Sequence, residues 1–143
     1  MPQRARDIPF ARIGYASRMN EREILELADR FFQAIPKGDL ETVRAIYAPD
    51  AQIWHNNDGA TQNVEQNLAV LGWVTKNIAG LRYEEIRRQV TPSGFVQQHV
   101  LRGNAPNGKP LEVHACILCT VVNGRITRLD EYLDSAQLEA LRG

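Results

Sequence analysis

The chain has 143 residues, with 17 Lys and Arg against 17 Asp and Glu, a formal charge of zero, and it is 43% hydrophobic and 24% charged. That length fits one domain able to bury roughly two-thirds of its surface. With no basic excess to neutralise a phosphate backbone, the composition argues against nucleic acid as a partner. No apolar run approaches the roughly 20 residues that a membrane helix needs, so no membrane partner is expected either.

Residues 1–19 stand apart as a basic N-terminal arm, with Arg4, Arg6, Arg12 and Arg18 against Asp7 alone. They lack the apolar core of a signal peptide. An organelle transit segment, or packing of Ile8, Phe10, Ile13 and Tyr15 on a partner subunit, are the alternatives for this stretch. The domain proper is expected over residues 20–143. Asn20 and Glu23 have capping-box spacing, and Ile24, Leu27, Ala28, Phe31 and Ile35 follow at helical intervals up to Pro36 and Gly38. A short second helix starts at Asp39, with Leu40, Val43, Ile46 and Tyr47 on one face, and stops before Pro49. Residues 51–55 read as a strand ended by Asn56-Asn57-Asp58-Gly59. A third helix begins at Asn63, where Gln66 completes another capping box, and stops at Gly80.

The hydrophobic period then changes to two. Residues 81–91, 95–104, 111–122 and 125–134 read as strands separated by Pro92-Ser93-Gly94, by Pro106 to Lys109 and by Asn123-Gly124, and a brief helix over 135–141 closes the chain. Helices followed by an antiparallel meander define an α+β domain. Cys116 and Cys119 are three apart on one strand, hence on opposite faces, and form no zinc pattern. A reduced, cytoplasmic setting is the corresponding expectation.

A two-residue turn at Asn123-Gly124 pairs Thr120 with Thr127, Leu118 with Leu129, Cys116 with Glu131 and His114 with Leu133. Opposed residues share a face, so one face would carry Glu112, His114, Cys116, Leu118, Thr127, Leu129, Glu131 and Leu133. The other would carry Val113, Ala115, Ile117, Cys119 and Val121 with Arg128, Asp130 and Tyr132. A matching turn at Asn107-Gly108 sets His99 opposite Cys116 on the first face, although one bulge would move it across. A face mixing aliphatics with two histidines and a carboxylate has the character of a greasy small-molecule pocket. The apolar opposite face calls for a cover, expected to be a second subunit in a homodimer.

The order of elements resembles the cone-shaped fold of nuclear transport factor 2, shared by ketosteroid isomerases, limonene epoxide hydrolases and SnoaL-like polyketide cyclases. The resemblance runs from Asn20 to Leu141. It rests on Gly38-Asp39-Leu40, Tyr47-Ala48-Pro49-Asp50-Ala51, Ile53-Trp54-His55-Asn56, Asn123-Gly124-Arg125-Ile126 and Glu131-Tyr132-Leu133-Asp134. It implies a curved antiparallel sheet wrapped by three N-terminal helices. The isomerase's aspartate base corresponds to His55, its oxyanion tyrosine to Phe31, and its protonated aspartate falls near Cys116 or Leu118, so two of three roles are missing. The epoxide hydrolases' Asp-Arg-Asp set would find only Glu131. The cyclases match best, through the histidine after an aromatic on strand one and the acid on the last strand.

His55 can take a proton at neutral pH, and Glu131 in an apolar cavity can act as acid or base. They are the candidate catalytic pair for proton abstraction beside a carbonyl, with isomerisation, cyclisation or dehydration following and no metal or organic cofactor required. Tyr47, Trp54, Asn56, Trp73, His99, His114, Cys116, Leu118 and Leu129 are the candidate ligand-binding residues. A Cys116 nucleophile and metal binding by His99, His114 and Glu131 have weaker support. The expected partner is a hydrophobic small molecule, and the alternative functions are a non-catalytic binding or interaction module and an epoxide hydrolase.

Overall fold

The computed structural model describes residues 19–142, so the expected arm over residues 1–19 lies, except for Met19, outside the described residues. Helix α1 (Glu21–Ala34) opens on the capping box that its sequence foretells. The Asn20 side chain accepts from the Glu23 N–H at 2.8 Å, and the Glu23 carboxylate accepts from the Asn20 N–H at 3.3 Å. Its apolar stripe, Ile24, Leu27, Ala28, Phe31 and Phe32, is buried. Helix α2 (Leu40–Ile46) is capped by Asp39, and helix α3 (Val64–Asn77) by the Asn63–Gln66 box.

Six strands follow: β1 (Tyr47–His55), β2 (Thr61–Gln62), β3 (Ala79–Thr91), β4 (Gly94–Asn104), β5 (Pro110–Val122) and β6 (Arg125–Leu133). They form one curved, open sheet in the order β2-β1-β6-β5-β4-β3, with the three helices N-terminal to the meander. The fold is α+β, as expected, with three differences. Strand β1 lies parallel to β6, and the unexpected two-residue β2 returns beside β1 after the turn at Asn56 to Gly59. Strand β1 also begins earlier than its apolar stretch, at Tyr47. Pro49 has no N–H for a ladder, and the β1–β6 register is irregular between Tyr47 and Gln52.

The registers correct the expected faces. Asn123 and Gly124 both take positive φ, 51° and 78°, as a two-residue hairpin turn requires, and Val122 pairs with Arg125. Ile126 then faces Val121, whereas Arg128 faces Thr120, so Thr127 is an extra residue without a partner. This bulge advances every later pair by one: Ile117 stands opposite Glu131, Cys119 opposite Leu129 and Ala115 opposite Leu133. The side chains of Glu112, His114, Cys116 and Leu118 therefore lie on the outer face. Val113, Ala115, Ile117, Cys119 and Val121, the residues whose apolar face called for a second subunit, are buried in the core. The expected turn at Asn107-Gly108 is likewise one residue wider, because Asn104 pairs with Pro110 and the Gly108 N–H closes on the Ala105 carbonyl at 2.9 Å. His99 thus faces Ala115 rather than Cys116. The two offsets have opposite sign and cancel between β4 and β6, leaving His99, Leu129 and Glu131 on the inner face as expected and β5 inverted.

The core fills the concave side between sheet and helices. Phe31 packs edge-on against Tyr47 with ring centres 5.4 Å apart, and Phe32 against Tyr83 at 5.2 Å. Burial on this scale is the main stabilising term. A 3₁₀ segment (Ser135–Arg142) closes the chain against β5.

Candidate active site

One end of the concave side is left hollow, with a volume of about 370 Å³. Its wall is mostly aliphatic, from Ile35 at the C-terminal cap of α1, Leu71 and Val74 of α3, and Leu101, Leu111, Val113, Ala115 and Leu133 of the sheet. Leu138 and Leu141 of the closing segment complete it. The polar groups on it are His55, Glu131, Tyr83, Asn57, Asp58, Gln62 and Asn67. That volume and mixture suit a small apolar ligand held by a few polar contacts. A depression of about 550 Å³ on the outer face, whose lining includes Glu85, His99, His114, Cys116 and Tyr132, is larger but lies on the opposite side of the sheet from the pair described next, and His99 does not line the cavity itself.

Parallel pairing of β1 with β6 sets His55 beside Glu131 in register. Alternation buries Ala51 and Ile53 on the same side and turns Trp54 outward, where it meets Tyr132 edge-on at 5.3 Å. The imidazole Nε2 lies 3.0 Å from Glu131 Oε1, and each side chain is 19% exposed. Nε2 therefore carries the proton donated to the carboxylate. This hydrogen bond raises the His55 pKa above its ordinary value; burial opposes it, and the charges of Glu131 and Asp58 add to it.

His99 is the opposite case. It is buried at 3% exposure, and burial, assisted by the Arg88 charge and opposed by Glu131, pushes it down to about 4. Its ring stands 4.7 Å from Tyr83, whose phenol burial holds protonated. Tyr47 is buried behind the cavity, donating from its hydroxyl to Asn67 Oδ1 at 2.8 Å, and Asn67 in turn donates to Gln62 at 3.2 Å. Two wall residues are thereby positioned by a tyrosine that does not line the cavity itself.

Trp73 lines the cavity from α3 and is 48% exposed, so it stands at the rim. Asn56 is drawn into the ladder, its side chain accepting from the Leu133 N–H at 3.0 Å and its N–H donating to the Glu131 carbonyl. Leu129 is buried on the inner face away from the hollow. Of the residues expected to bind ligand, Trp54, His114, Cys116 and Leu118 lie on the outer face for the register reasons above, and Leu118 is 45% exposed. Sequence reasoning missed most of the wall, including its polar residues Gln62, Asn67 and Tyr83, although the spacing of Tyr83 from buried Leu81 placed both on one face. Among the described residues, no group of three or more His, Cys, Asp or Glu is arranged to hold a metal ion.

Residues 28–129 match the model of the SnoaL-like domain. The chain belongs to the SnoaL-like family. A relative of this SnoaL-like protein, the uncharacterised Rv0034 of Mycobacterium tuberculosis, is 32% identical over 130 residues, covering 85% of this chain and 98% of the relative. Among solved structures, a provisionally assigned polyketide cyclase of Xanthomonas campestris pv. campestris has a TM-score of 0.76 at 17% identity, with 87% of this chain and 100% of that one covered. An NTF2-like protein from Burkholderia xenovorans LB400 has a TM-score of 0.72 at 19% identity, with 88% and 100% covered. At such identities the two structures share the fold with this SnoaL-like chain, and the chemistry has to be argued from its own residues.

Proposed function

We propose that this SnoaL-like protein binds a small, largely apolar carbonyl compound and moves a proton at the carbon beside the carbonyl. Isomerisation, cyclisation and elimination all begin in that way. The observation that carries the reading is the His55–Glu131 pair, 3.0 Å apart and lining a mostly aliphatic cavity. With Nε2 donating to the carboxylate, Nδ1 of His55 keeps its lone pair and is the atom that accepts the substrate proton. Glu131 holds the ring in that tautomer and stabilises the imidazolium formed when the proton arrives, the same division of labour as between the acid and base of a hydrolytic triad. Aliphatic walls exclude water and strengthen these electrostatic effects. A positioned base of this type contributes about 10²–10⁴-fold in rate. The reaction so described draws on side chains alone.

The test is a thermal-shift screen with lactones, ketones and polycyclic carbonyl compounds against the wild type, His55→Ala and Glu131→Gln, followed by assay of the hits for turnover. Compounds bound by all three proteins but converted at least about 100-fold more slowly by His55→Ala support the reading. Equal stabilisation of all three by every hit, with no conversion by any, makes the domain a binding module instead.

A further inference from the structure

Proton transfer to His55 leaves the electron pair of the broken C–H bond on the substrate, where it collects as enolate charge on the carbonyl oxygen. Between aliphatic walls that oxygen needs a fixed hydrogen-bond donor in place of water. Neither member of the catalytic pair can serve. The Nε2–H of His55 is given to Glu131, and the carboxylate is itself an acceptor.

The other polar residues of the wall differ in what they have left to give. Asn67 and Gln62 are tied to each other, with Asn67 also accepting from Tyr47. Asp58 accepts from the Ala60 N–H at 2.9 Å, and Asn57 and Trp73 are exposed at the mouth. Tyr83 is different. It stands on β3, an edge strand, with β4, β5 and β6 between it and His55 on β1, and the cavity touches both residues. Its ring is held edge-on by Phe32 at 5.2 Å and by His99 at 4.7 Å. Its hydroxyl makes no hydrogen bond among the described residues, and no buried side-chain oxygen among them is sealed without a partner. The hydroxyl therefore opens on free space, and the cavity is the space that Tyr83 borders. Ala115, on the floor between His99 and Leu133, has a side chain too short to fill the gap towards the pair. Burial, with the Glu131 charge adding to it, raises the phenol pKa far above its ordinary value, so the group stays protonated.

We infer that Tyr83 is a further catalytic residue, whose O–H donates to the carbonyl oxygen of the bound compound and to the enolate oxygen that forms from it. Nδ1 of His55 takes the proton from the neighbouring carbon, the C–H electron pair becomes the carbon–carbon double bond, and the carbonyl π pair moves onto oxygen. The phenol keeps its own proton throughout. Because the charge on oxygen grows along this path, the hydrogen bond strengthens towards the transition state. The inference rests on the carbonyl reading of the cavity and adds an orientation to it, with oxygen towards β3 and the acidic C–H towards β1.

The probes are 1-tetralone carrying ¹³C at the carbonyl and tetralin, its counterpart without oxygen. The carbonyl resonance of tetralone is expected to move downfield on binding the wild type. Tyr83→Phe keeps the ring that packs on Phe32 and His99, and in it the shift is expected to vanish. Tetralone binding should weaken about tenfold in this variant while tetralin binding stays unchanged. Exchange of the hydrogen beside the carbonyl in heavy water, at saturating tetralone, should slow by about 10²–10³-fold, so that the loss falls more on kcat than on binding. His55→Ala is expected to lose exchange but to keep the downfield shift, which reads the base and the donor separately. A shift and a preference for tetralone over tetralin that survive in Tyr83→Phe overturn the donor and leave the carbonyl ligand standing. Exchange by Tyr83→Phe at the wild-type rate overturns the catalytic role. A wild type that binds tetralin but not tetralone, or neither, contradicts the carbonyl ligand and the donor together.

Discussion

His55 and Glu131 occupy the same level of two parallel neighbouring strands, and their side chains meet at 3.0 Å on the wall of the cavity. Neither strand has to bend to bring them together, because the ladder fixes their spacing. Because the hydrogen bond raises the His55 pKa above its unfolded value of about 6.5, folding is favoured by the extra proton. The contribution is fully present below the unfolded value and is lost as pH rises through the folded one. The difference in Tm between wild type and His55→Gln should therefore be largest near pH 6 and shrink towards pH 9. A difference that is constant or grows with pH contradicts the pairing.

The same cause predicts the His55 titration in Glu131→Gln. Without the carboxylate, burial becomes the dominant influence and lowers the midpoint, opposed only by Asp58. Histidine NMR should find His55 titrating above its ordinary value in the wild type and well below the wild-type position in the variant. Coincident curves would mean that the two side chains do not interact in solution.

The closing segment is held by a side chain that imitates a strand. Gln137 accepts from the His114 N–H at 2.9 Å and donates to the His114 carbonyl at 3.2 Å, just past the end of β6. Asn107 donates to the Ala140 carbonyl at 2.9 Å. Leu138 and Leu141 cap the cavity from this segment. Gln137→Ala should cost about 1 kcal/mol by urea unfolding, speed hydrogen exchange at the His114 amide and increase binding of an apolar fluorescent dye. Unchanged exchange at that amide would show that the segment is held by other contacts.

The two thiols report the sheet's faces. Cys116 is half-buried on the outer face, whereas Cys119 is 3% exposed with its thiol pKa pushed up by burial. A thiol reagent should modify one cysteine in the native protein and two in denaturant, and the modified native protein should keep its ligand binding. Loss of binding on labelling Cys116 would return that residue to the cavity.

Gly94 lies where a Cβ would come within 2.0 Å of the Cys119 carbonyl oxygen. Backbone cannot yield as a flexible side chain does, so Gly94→Ala is expected to destabilise the fold by on the order of 3 kcal/mol, measured by denaturant unfolding. A loss below about 0.5 kcal/mol would contradict the close approach.

These placements show which features the sequence could reveal. The capping boxes at Asn20 and Asn63 and the Asn123-Gly124 turn are local devices, written in adjacent residues, and they read correctly. The inner position of His55 followed from alternation over a short strand. The inversion of β5 came from Thr127, a bulge with no glycine or proline to announce it, whose hydroxyl lies 3.4 Å from the Thr120 carbonyl. Tyr83 was overlooked because the alternation of β3 breaks two residues later at Glu85, which takes a φ of 53°. The hydrogen bond from Arg88 to Gln97 depends on a cross-strand register that only the folded sheet sets.

The central claim, that His55 takes a proton from the carbon beside a carbonyl, is tested most directly by exchange of that hydrogen for deuterium in heavy water, using a ketone that the wild type binds. The wild type should catalyse exchange with a rate that rises with pH through a midpoint above about 6.5, and His55→Ala should be slower by at least about 100-fold while still binding the ketone. Exchange by His55→Ala at the wild-type rate would contradict the account.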